Sequence, residues 1–234
     1  LMGLEGAFVI SATAYLLCVF ISMTLILKTA VIKREIEPYL KMLKEGVDIV
    51  RNSPELIGVY LITIILNICG FPYASMVPVL GRSVYEVEPA LIGILSASEG
   101  AGAFIGALVV AFIVRPTWFK RIYLYGSLIF VFGIFCLSFA NFYGLAVSVL
   151  FISGLGMAGF GAMQSTLVLL LAPKEARSRL MGLLSVCIGC APIGLLNLGL
   201  LADKIGAQTA LTVMSSLGIL AILVVIIFIP KVRS

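Results

Sequence analysis

The stretch PALIGILSASEGAGAFIGALVVAFIV, from Pro89 to Val114, decides the fold because it is apolar throughout except for one carboxylic acid. At a rise of about 1.5 Å per residue, a helix of this length crosses a hydrocarbon core of about 30 Å. Glu99 would then lie near the middle of the bilayer. The stretch therefore predicts a membrane-spanning helix with an ionisable side chain at mid-depth.

Two roles are open to Glu99. An ionised carboxylate at mid-membrane costs at least about 2.5 kcal/mol, so the side chain should face the bundle interior or a watery cavity, or be protonated. A functional role would be proton coupling or substrate contact, because ionisable residues within spans mark ion and substrate pathways. A structural role would be a neutral acid hydrogen-bonded to Ser96, Ser98 or a neighbouring helix. Both roles turn Glu99 away from lipid.

The whole chain has the composition of an integral membrane protein. Of its 234 residues, 62% are hydrophobic and 12% are charged, whereas a soluble domain is about 45–50% apolar and about 25% charged. The apolar runs are too long and uninterrupted for barrel strands, which alternate over about ten residues. The predicted class is therefore all-α, a polytopic bundle of membrane helices.

Charge and cysteine usage exclude several functional classes. The net charge of +5 comes from basic residues at span ends rather than from a patch with interleaved aromatic residues, so no nucleic-acid partner is predicted. Cys187 and Cys190 form a CxxC inside an apolar run, and the chain has no histidine, so helix packing is favoured over zinc or redox chemistry. Without histidine, Ser-His catalysis is also excluded. We expect no metal, no cofactor and no enzymatic activity.

Seven spans are predicted, and a polar stretch at residues 28–53 separates the first from the rest. The second begins at Ser53 and Pro54, which form an N-cap and first-turn pair. The seven are expected at about residues 7–27, 54–77, 89–114, 118–140, 141–172, 180–201 and 209–229.

Proline and glycine predict where two of these spans are interrupted. Pro72 and Pro78 should bend or end the second span before a polar turn at residues 81–88. Pro192 and Gly194 should break the sixth span.

The uncharged run at residues 141–172 is expected to be too long to be helical throughout. It contains GLGMAGFG at residues 154–161, whose GxGxxG is not followed by the strand and acidic residue of a dinucleotide site. Glycines within an apolar span favour close helix packing instead.

The polar stretch carries a short amphipathic helix. Leu40, Leu43, Val47 and Val50 recur at helical spacing, while charged residues occupy the other faces. We expect this helix to lie on the membrane surface or against the bundle, and a packed linker is favoured over partner recognition.

Lysine and arginine predict the orientation of the chain. Of its 16 basic residues, 14 fall on one side of the predicted spans and only Arg82 and Lys204 on the other. The positive-inside rule then places the linker and the carboxyl terminus in the cytoplasm. The prediction is a multi-pass protein of the cell membrane with the lipid bilayer as its surroundings.

This layout resembles the major facilitator superfamily, in which a long cytoplasmic loop joins two six-helix halves. Four motifs resemble its secretion-effector branch of drug and siderophore exporters, related to the enterobactin exporter. They are EGVDIVRNSPEL (45–56), LIGILSASEGAGAFIGAL (91–108), APKEARSRLMGL (172–183) and CAPIGLLNLGLLADKIGAQTAL (190–211). An acidic residue at the position of Glu99 is not usual in this branch, so its role is argued from the residue alone.

The resemblance implies a domain plan. Residues 1–27 would be the last helix of an amino-terminal bundle, 28–53 the cytoplasmic linker and 54–234 the carboxyl-terminal six-helix bundle. The rest of the amino-terminal bundle is expected as a partner within the same, longer chain.

The resemblance also implies gate residues around a central cavity. The matching positions in the tenth-to-eleventh turn and the following helix are Pro173, Arg177, Arg179, Gly182, Pro192, Gly194, Gly199, Asp203 and Gly206. Membrane anchoring alone would also account for Arg177 and Arg179. For Asp203, a helix cap or a pair with Lys204 is favoured.

The predicted function is a secondary transporter that exports small amphipathic molecules or siderophores by alternating access, driven by protons. Glu99 would bind a proton from outside and release it when the cavity opens inward. Asn67, Gln164 and Asn197 are candidate cavity contacts, and each is equally suited to a hydrogen bond between helices.

Alternatives from other classes fit less well. A free-standing seven-helix receptor would suit the orientation, but the last span has no lysine for a retinal Schiff base. A channel-like protein would need a filter, and no TVGYG-like string exists. An intramembrane protease is excluded because the only aspartates, Asp48 and Asp203, lie in the linker and a turn.

Overall fold

The computed structural model describes residues 4–24 and 39–232, and these are helical with short connections and contain no strand. The helices are α1 (Leu4–Thr24), α2 (Tyr39–Arg51), α3 (Pro54–Ile65), α4 (Val77–Ser83), α5 (Pro89–Ile113), α6 (Phe119–Leu137), α7 (Tyr143–Leu171), α8 (Arg177–Ile188), α9 (Ala191–Ile205) and α10 (Ala207–Phe228). Helix α1 belongs to one compact unit, and α2 to α10 form another. The predicted all-α class is confirmed.

Six helical stretches of the second unit are long and apolar enough to cross a membrane. They are Pro54–Ser83, Pro89–Ile113, Pro116–Leu137, Tyr143–Leu171, Lys174–Ile205 and Ala207–Phe228. They match the six spans predicted after the polar stretch. The first predicted span overlaps α1, but its residues 25–27 lie outside the described residues, as do residues 28–38 of the predicted linker.

The amphipathic linker helix is α2, and it packs against α3 and α8. Val50 turns inward from α2 and is buried. At the same contact, Arg179 Nη1 of α8 lies 2.7 Å from Glu45 Oε2 of α2. Of the two positions predicted for this helix, the structure has the one against the bundle.

The span at residues 54–83 leaves α-helical geometry in its middle. A π-helical turn at Leu66–Gly70 and a 3-10 turn at Phe71–Ser75 separate α3 from α4. Pro72 belongs to the 3-10 turn, and Pro78 lies in the first turn of α4, where its missing N–H costs no hydrogen bond. Because Pro78 is tolerated there, the helix continues past the predicted end near residue 77.

The prediction that residues 141–172 cannot be helical throughout is wrong, since α7 is an unbroken helix of 29 residues. At about 1.5 Å per residue it is about 43 Å long, which matches a bilayer with its headgroup regions. Three of its glycines, Gly154, Gly156 and Gly159, are contact points for neighbouring helices.

Backbone contacts on two sides hold α7 in place. Toward α5, the carbonyl oxygen of Glu99 occupies the space that a Cβ atom on Gly154 would need. Toward α6, a Cβ atom on Gly156 would lie 2.7 Å from the carbonyl oxygen of Gly126. Only glycine permits these approaches, so the residues that suggested a break instead bring three helices together.

The span at residues 174–205 is interrupted close to the predicted place. Helix α8 ends at Ile188, and α9 begins at Ala191 with Pro192 in its first turn. Gly194 then packs against the backbone carbonyl of Ile68, in the π-helical turn. The break therefore lies just before the two residues that predicted it.

Candidate functional site

A cavity of about 320 Å³ lies between the span at residues 54–83, helix α7 and helix α8. Its lining residues are Asn67, Phe71, Met157, Phe160, Gly161, Gln164 and Ile188. Two primary amides therefore face an otherwise apolar and aromatic wall, a composition typical of small-molecule sites. Two of the predicted contacts, Asn67 and Gln164, share this cavity.

The π-helical turn brings Asn67 and Phe71 to the cavity. In this turn the N–H of Phe71 donates to the carbonyl of Leu66, five residues back, which rotates the following side chains relative to a regular helix. Asn67 is buried, and its Nδ2 donates to the carbonyl of Thr63 at 2.9 Å. π-Helical turns occur frequently at functional sites, and this one supplies Asn67, while Phe71 follows it as the first residue of the 3-10 turn.

A buried hydrogen-bond chain fixes Gln164. Its Nε2 donates to Thr63 Oγ1 at 3.0 Å, and Thr63 Oγ1 lies 3.1 Å from the Tyr123 hydroxyl. Tyr123 in turn donates to the carbonyl of Val59 at 2.8 Å. Both amides of the cavity are thus anchored on Thr63, Asn67 through its carbonyl and Gln164 through its hydroxyl. The chain links α3, α6 and α7 and orients the amide before any ligand arrives.

Two aromatic rings, those of Phe71 and Phe160, also line the wall. The ring centroids of Phe71 and Phe160 lie 5.8 Å apart, and Phe160 stacks on Tyr123 at 5.5 Å. Phe71 also packs on the fully buried Phe130, with centroids 5.0 Å apart. Such packed aromatic pairs add stability beyond area burial.

Glu99 lies outside the cavity lining, partly buried on α5. The hydroxyl of Tyr73, a buried residue of the 3-10 turn, hydrogen-bonds the Glu99 side chain. Ser98 instead donates to the carbonyl of Leu95 at 2.6 Å. The partner of Glu99 is therefore a side chain of a neighbouring helix. Tyr73 and Phe71 lie two residues apart, so one short segment contacts both Glu99 and the cavity.

The structure does not bring Asn197 to this cavity. Its side chain is exposed on α9, and its Nδ2 donates to the carbonyl of Ile193, one helical turn back, at 2.8 Å.

The gate positions fall in several environments. Pro173 precedes the 3-10 turn at Lys174–Ala176. Arg177 is exposed at the start of α8. Arg179, two residues further along the same helix, pairs with Glu45 of α2. Asp203 is exposed in the last turn of α9, next to Lys204. Among the glycines, Gly182 and Gly199 have open space at the Cβ position, Gly194 is tightly packed, and Gly206 ends α9 with a φ of +83°, which favours glycine.

Three hydroxyl-bearing residues of the site, Thr63, Tyr73 and Tyr123, were not singled out from the sequence. The available signal was their position in the middle of apolar spans, where a hydroxyl group needs a partner.

In the described part of the chain, no group of three or more acidic, cysteine or histidine residues could hold a metal ion, and Cys187 and Cys190 are free thiols.

Comparison with known proteins accounts for this architecture. The chain is 22% identical over 223 residues to a staphyloferrin A transporter of Staphylococcus aureus (strain NCTC 8325 / PS 47), and the match covers 94% of this chain and 54% of that protein. The chain thus spans about half the length of this curated relative. The family model of the Major Facilitator Superfamily matches residues 87–234, which include the five spans from α5 to α10. Since that match covers more than half of the chain and coincides with its membrane helices, the chain belongs to the Major Facilitator Superfamily.

Proposed function

We propose that the chain forms one half of a secondary active transporter that exports small amphipathic molecules or siderophores by alternating access, coupled to protons. The observation that carries this proposal is the cavity with two anchored amides, Asn67 and Gln164, among aromatic and aliphatic side chains. A second bundle, supplied by the amino-terminal part of the same polypeptide, would form the opposite wall. The family and the transporter relative support the general class.

The chemistry of the cavity favours a substrate with aromatic or aliphatic surface and a few hydrogen-bonding groups. Its lining contains amide donors and acceptors but no charged side chain. A volume of about 320 Å³ lies within the range of small-molecule pockets, about 300–1,000 Å³. A substrate would bind its apolar part against Phe71 and Phe160 and its polar part at the two amides.

Glu99 is the proposed site of proton coupling. Its carboxyl group can hold or release a proton at mid-membrane, and the Tyr73 hydroxyl orients it. Tyr73 belongs to the same 3-10 turn as Phe71, which lines the cavity. Binding or release of a substrate at Phe71 would therefore change the position of the Tyr73 hydroxyl beside Glu99. This arrangement supports an exchange of substrate for protons.

The substrate class can be tested by comparing the small molecules that cells release. Mass spectrometry would compare the medium of native host cells with an intact gene, a disrupted gene, and a gene carrying both Asn67→Ala and Gln164→Ala. We expect the disruption to remove one or more amphipathic compounds, and the double variant to lower their export at least tenfold. Unchanged media after disruption would contradict an exporter.

Proton coupling is tested with the identified compound in proteoliposomes that contain the intact protein. We expect Glu99→Gln to abolish uphill transport driven by a pH gradient while downhill exchange continues. The matched control is Glu88→Gln, an exposed residue at the start of the same helix, which should retain full coupling. Full proton-driven transport by Glu99→Gln would exclude Glu99 from this role.

A further inference from the structure

A groove with a lysine at its rim lies at one end of the bundle and shares no lining residue with the candidate cavity. It has a volume of about 380 Å³. Its lining residues are Pro54, Ile57, Phe228, Ile229, Pro230 and Lys231. The groove forms where the first span of the bundle begins and the last span ends, so it lies at the depth of the membrane surface.

The lining of this groove suits an acyl chain. Five of its six residues are apolar, and the partly buried Ile57 forms its floor between the exposed Pro54 and Phe228. The Phe228 side chain is 79% exposed at the end of a helix that is long and apolar enough to cross a membrane. An apolar ligand could therefore enter from the bilayer without crossing a polar barrier.

One lysine lines the groove, and a second lies beside it. Lys231 is exposed, and within the described ranges it makes no ion pair. Lys120 Nζ lies 3.5 Å from the carbonyl oxygen of Lys231 and 3.6 Å from Glu55 Oε1. Lys231 therefore lies in the lining of the apolar groove, and Lys120 contacts its backbone from the side of Glu55. A ligand with one negative charge and a long apolar tail complements this arrangement.

We propose that this groove binds an anionic phospholipid. The phosphate group would lie at Lys231, with Lys120 behind it, and one acyl chain would follow Ile57 and Phe228. A basic pocket between membrane helices at the membrane surface is the general form of a lipid headgroup site. The bound lipid would bridge the start of α3, the end of α10 and, through Lys120, the start of α6.

Native mass spectrometry of the purified protein tests this site. The protein would be titrated in detergent with phosphatidylglycerol or with phosphatidylcholine of identical acyl chains. We expect a bound phosphatidylglycerol that persists on collisional activation, and a roughly fivefold loss of affinity in Lys231→Gln, since one basic residue near a membrane surface contributes about that factor. Lys174→Gln, an exposed lysine in the turn before α8, is the matched control and should bind as the wild type does.

A second variant tests the apolar part of the site independently of charge. Ile57→Trp fills the floor of the groove and should displace phosphatidylglycerol, with thermal unfolding measured to establish that the variant folds. Equal binding of the two lipids, or equal losses in Lys231→Gln and Lys174→Gln, would overturn the proposal. Binding of inorganic phosphate or glycerol phosphate that competes with the lipid and survives Ile57→Trp would identify a free-phosphate site and also overturn it.

Discussion

The spans at residues 54–83 and 143–171 respond in opposite ways to residues that disfavour helices. The first contains Pro72 and passes through π-helical and 3-10 turns, yet it continues to Ser83. The second carries five glycines within its 29 residues and remains a regular α-helix. Of the 18 most apolar consecutive residues in each span, 61% are buried in the first span and 39% in the second. Burial alone therefore does not make a membrane helix regular.

The difference lies in the backbone N–H donor, which glycine keeps and proline lacks. Gly154 on α7 lets another helix approach closely, so the cost of a flexible residue is offset by van der Waals contact. In the span at residues 54–83, Pro72 removes a donor, and the neighbours contact the irregular turns through a side chain at Gly70, from Phe130, and through backbone at Ile68, from Gly194. Glycine here marks where two helices touch, whereas the change in hydrogen bonding marks where the cavity forms.

The largest effect is expected where α7 touches α5. Gly154→Ala should destabilise the protein by about 2–3 kcal/mol because the new methyl group meets the backbone of Glu99, which cannot move like a side chain. Gly161→Ala on the same helix is the matched control, since its Cβ position is open. The control should be neutral or gain up to about 1 kcal/mol. Thermal unfolding in detergent measures both, and equal stabilities would refute the packing explanation.

A smaller effect is expected in the hydrogen-bond chain beside the cavity. Thr63→Val keeps the shape of the side chain but leaves Gln164 and Tyr123 without their shared partner, which should cost about 1–2 kcal/mol. Thr166→Val is the control, because its hydroxyl donates only to Ala162 of its own helix at 2.8 Å. We expect the control to change stability by less than about 0.5 kcal/mol. Similar losses in chemical denaturation would show that the chain is not the stabilising feature.

The smallest effect is expected where the two spans approach each other at one end. The hydroxyl of Tyr85, after the first span, is buried without a hydrogen-bond partner in the described residues, and its ring packs edge-on to Tyr143. Tyr85→Phe should therefore raise stability by up to about 1 kcal/mol. Tyr143→Phe should lower it, because the Tyr143 hydroxyl donates to the carbonyl of Leu91 at 2.9 Å. A loss of stability in Tyr85→Phe would contradict the assignment of an unpaired hydroxyl.

The same residue gives a prediction about alkaline pH. Burial raises the pKa of the Tyr85 phenol above its usual value. As the pH rises, the unfolded chain loses this proton before the folded chain does. The stability that the protonated phenol contributes is therefore fully present below about pH 10 and is lost as the pH rises above that value. Tyr85→Phe should reduce this fall, as measured by unfolding at pH 9 and above. An identical fall in both proteins would assign it to other groups.

The sequence predicts those parts of the fold that depend on local chemistry. The start of α3 is one example, because Ser53 and Pro54 form a cap that needs no distant residue, and Ser53 Oγ accepts the N–H of Leu56. The candidate site depends on distant residues. Asn67 and Gln164 stand out as amides in apolar spans, but Thr63, which anchors both, lies 101 residues from Gln164. Nothing local to either amide indicates that contact, or the π-helical turn that turns Asn67 toward the cavity.

The backbone contacts of α7 have a mechanical consequence. Helix α7 touches α5 at Gly154 and α6 at Gly156 through backbone atoms, and at these points no side chain can exchange one packing for another. The three helices should move as a single rigid plate. The strain of any opening or closing then falls on the segment at residues 66–75, where π-helical and 3-10 hydrogen bonds can be traded for α-helical ones at little cost. We therefore expect the wall formed by α7 to stay rigid and the segment at residues 66–75 to bend in the proposed transport cycle.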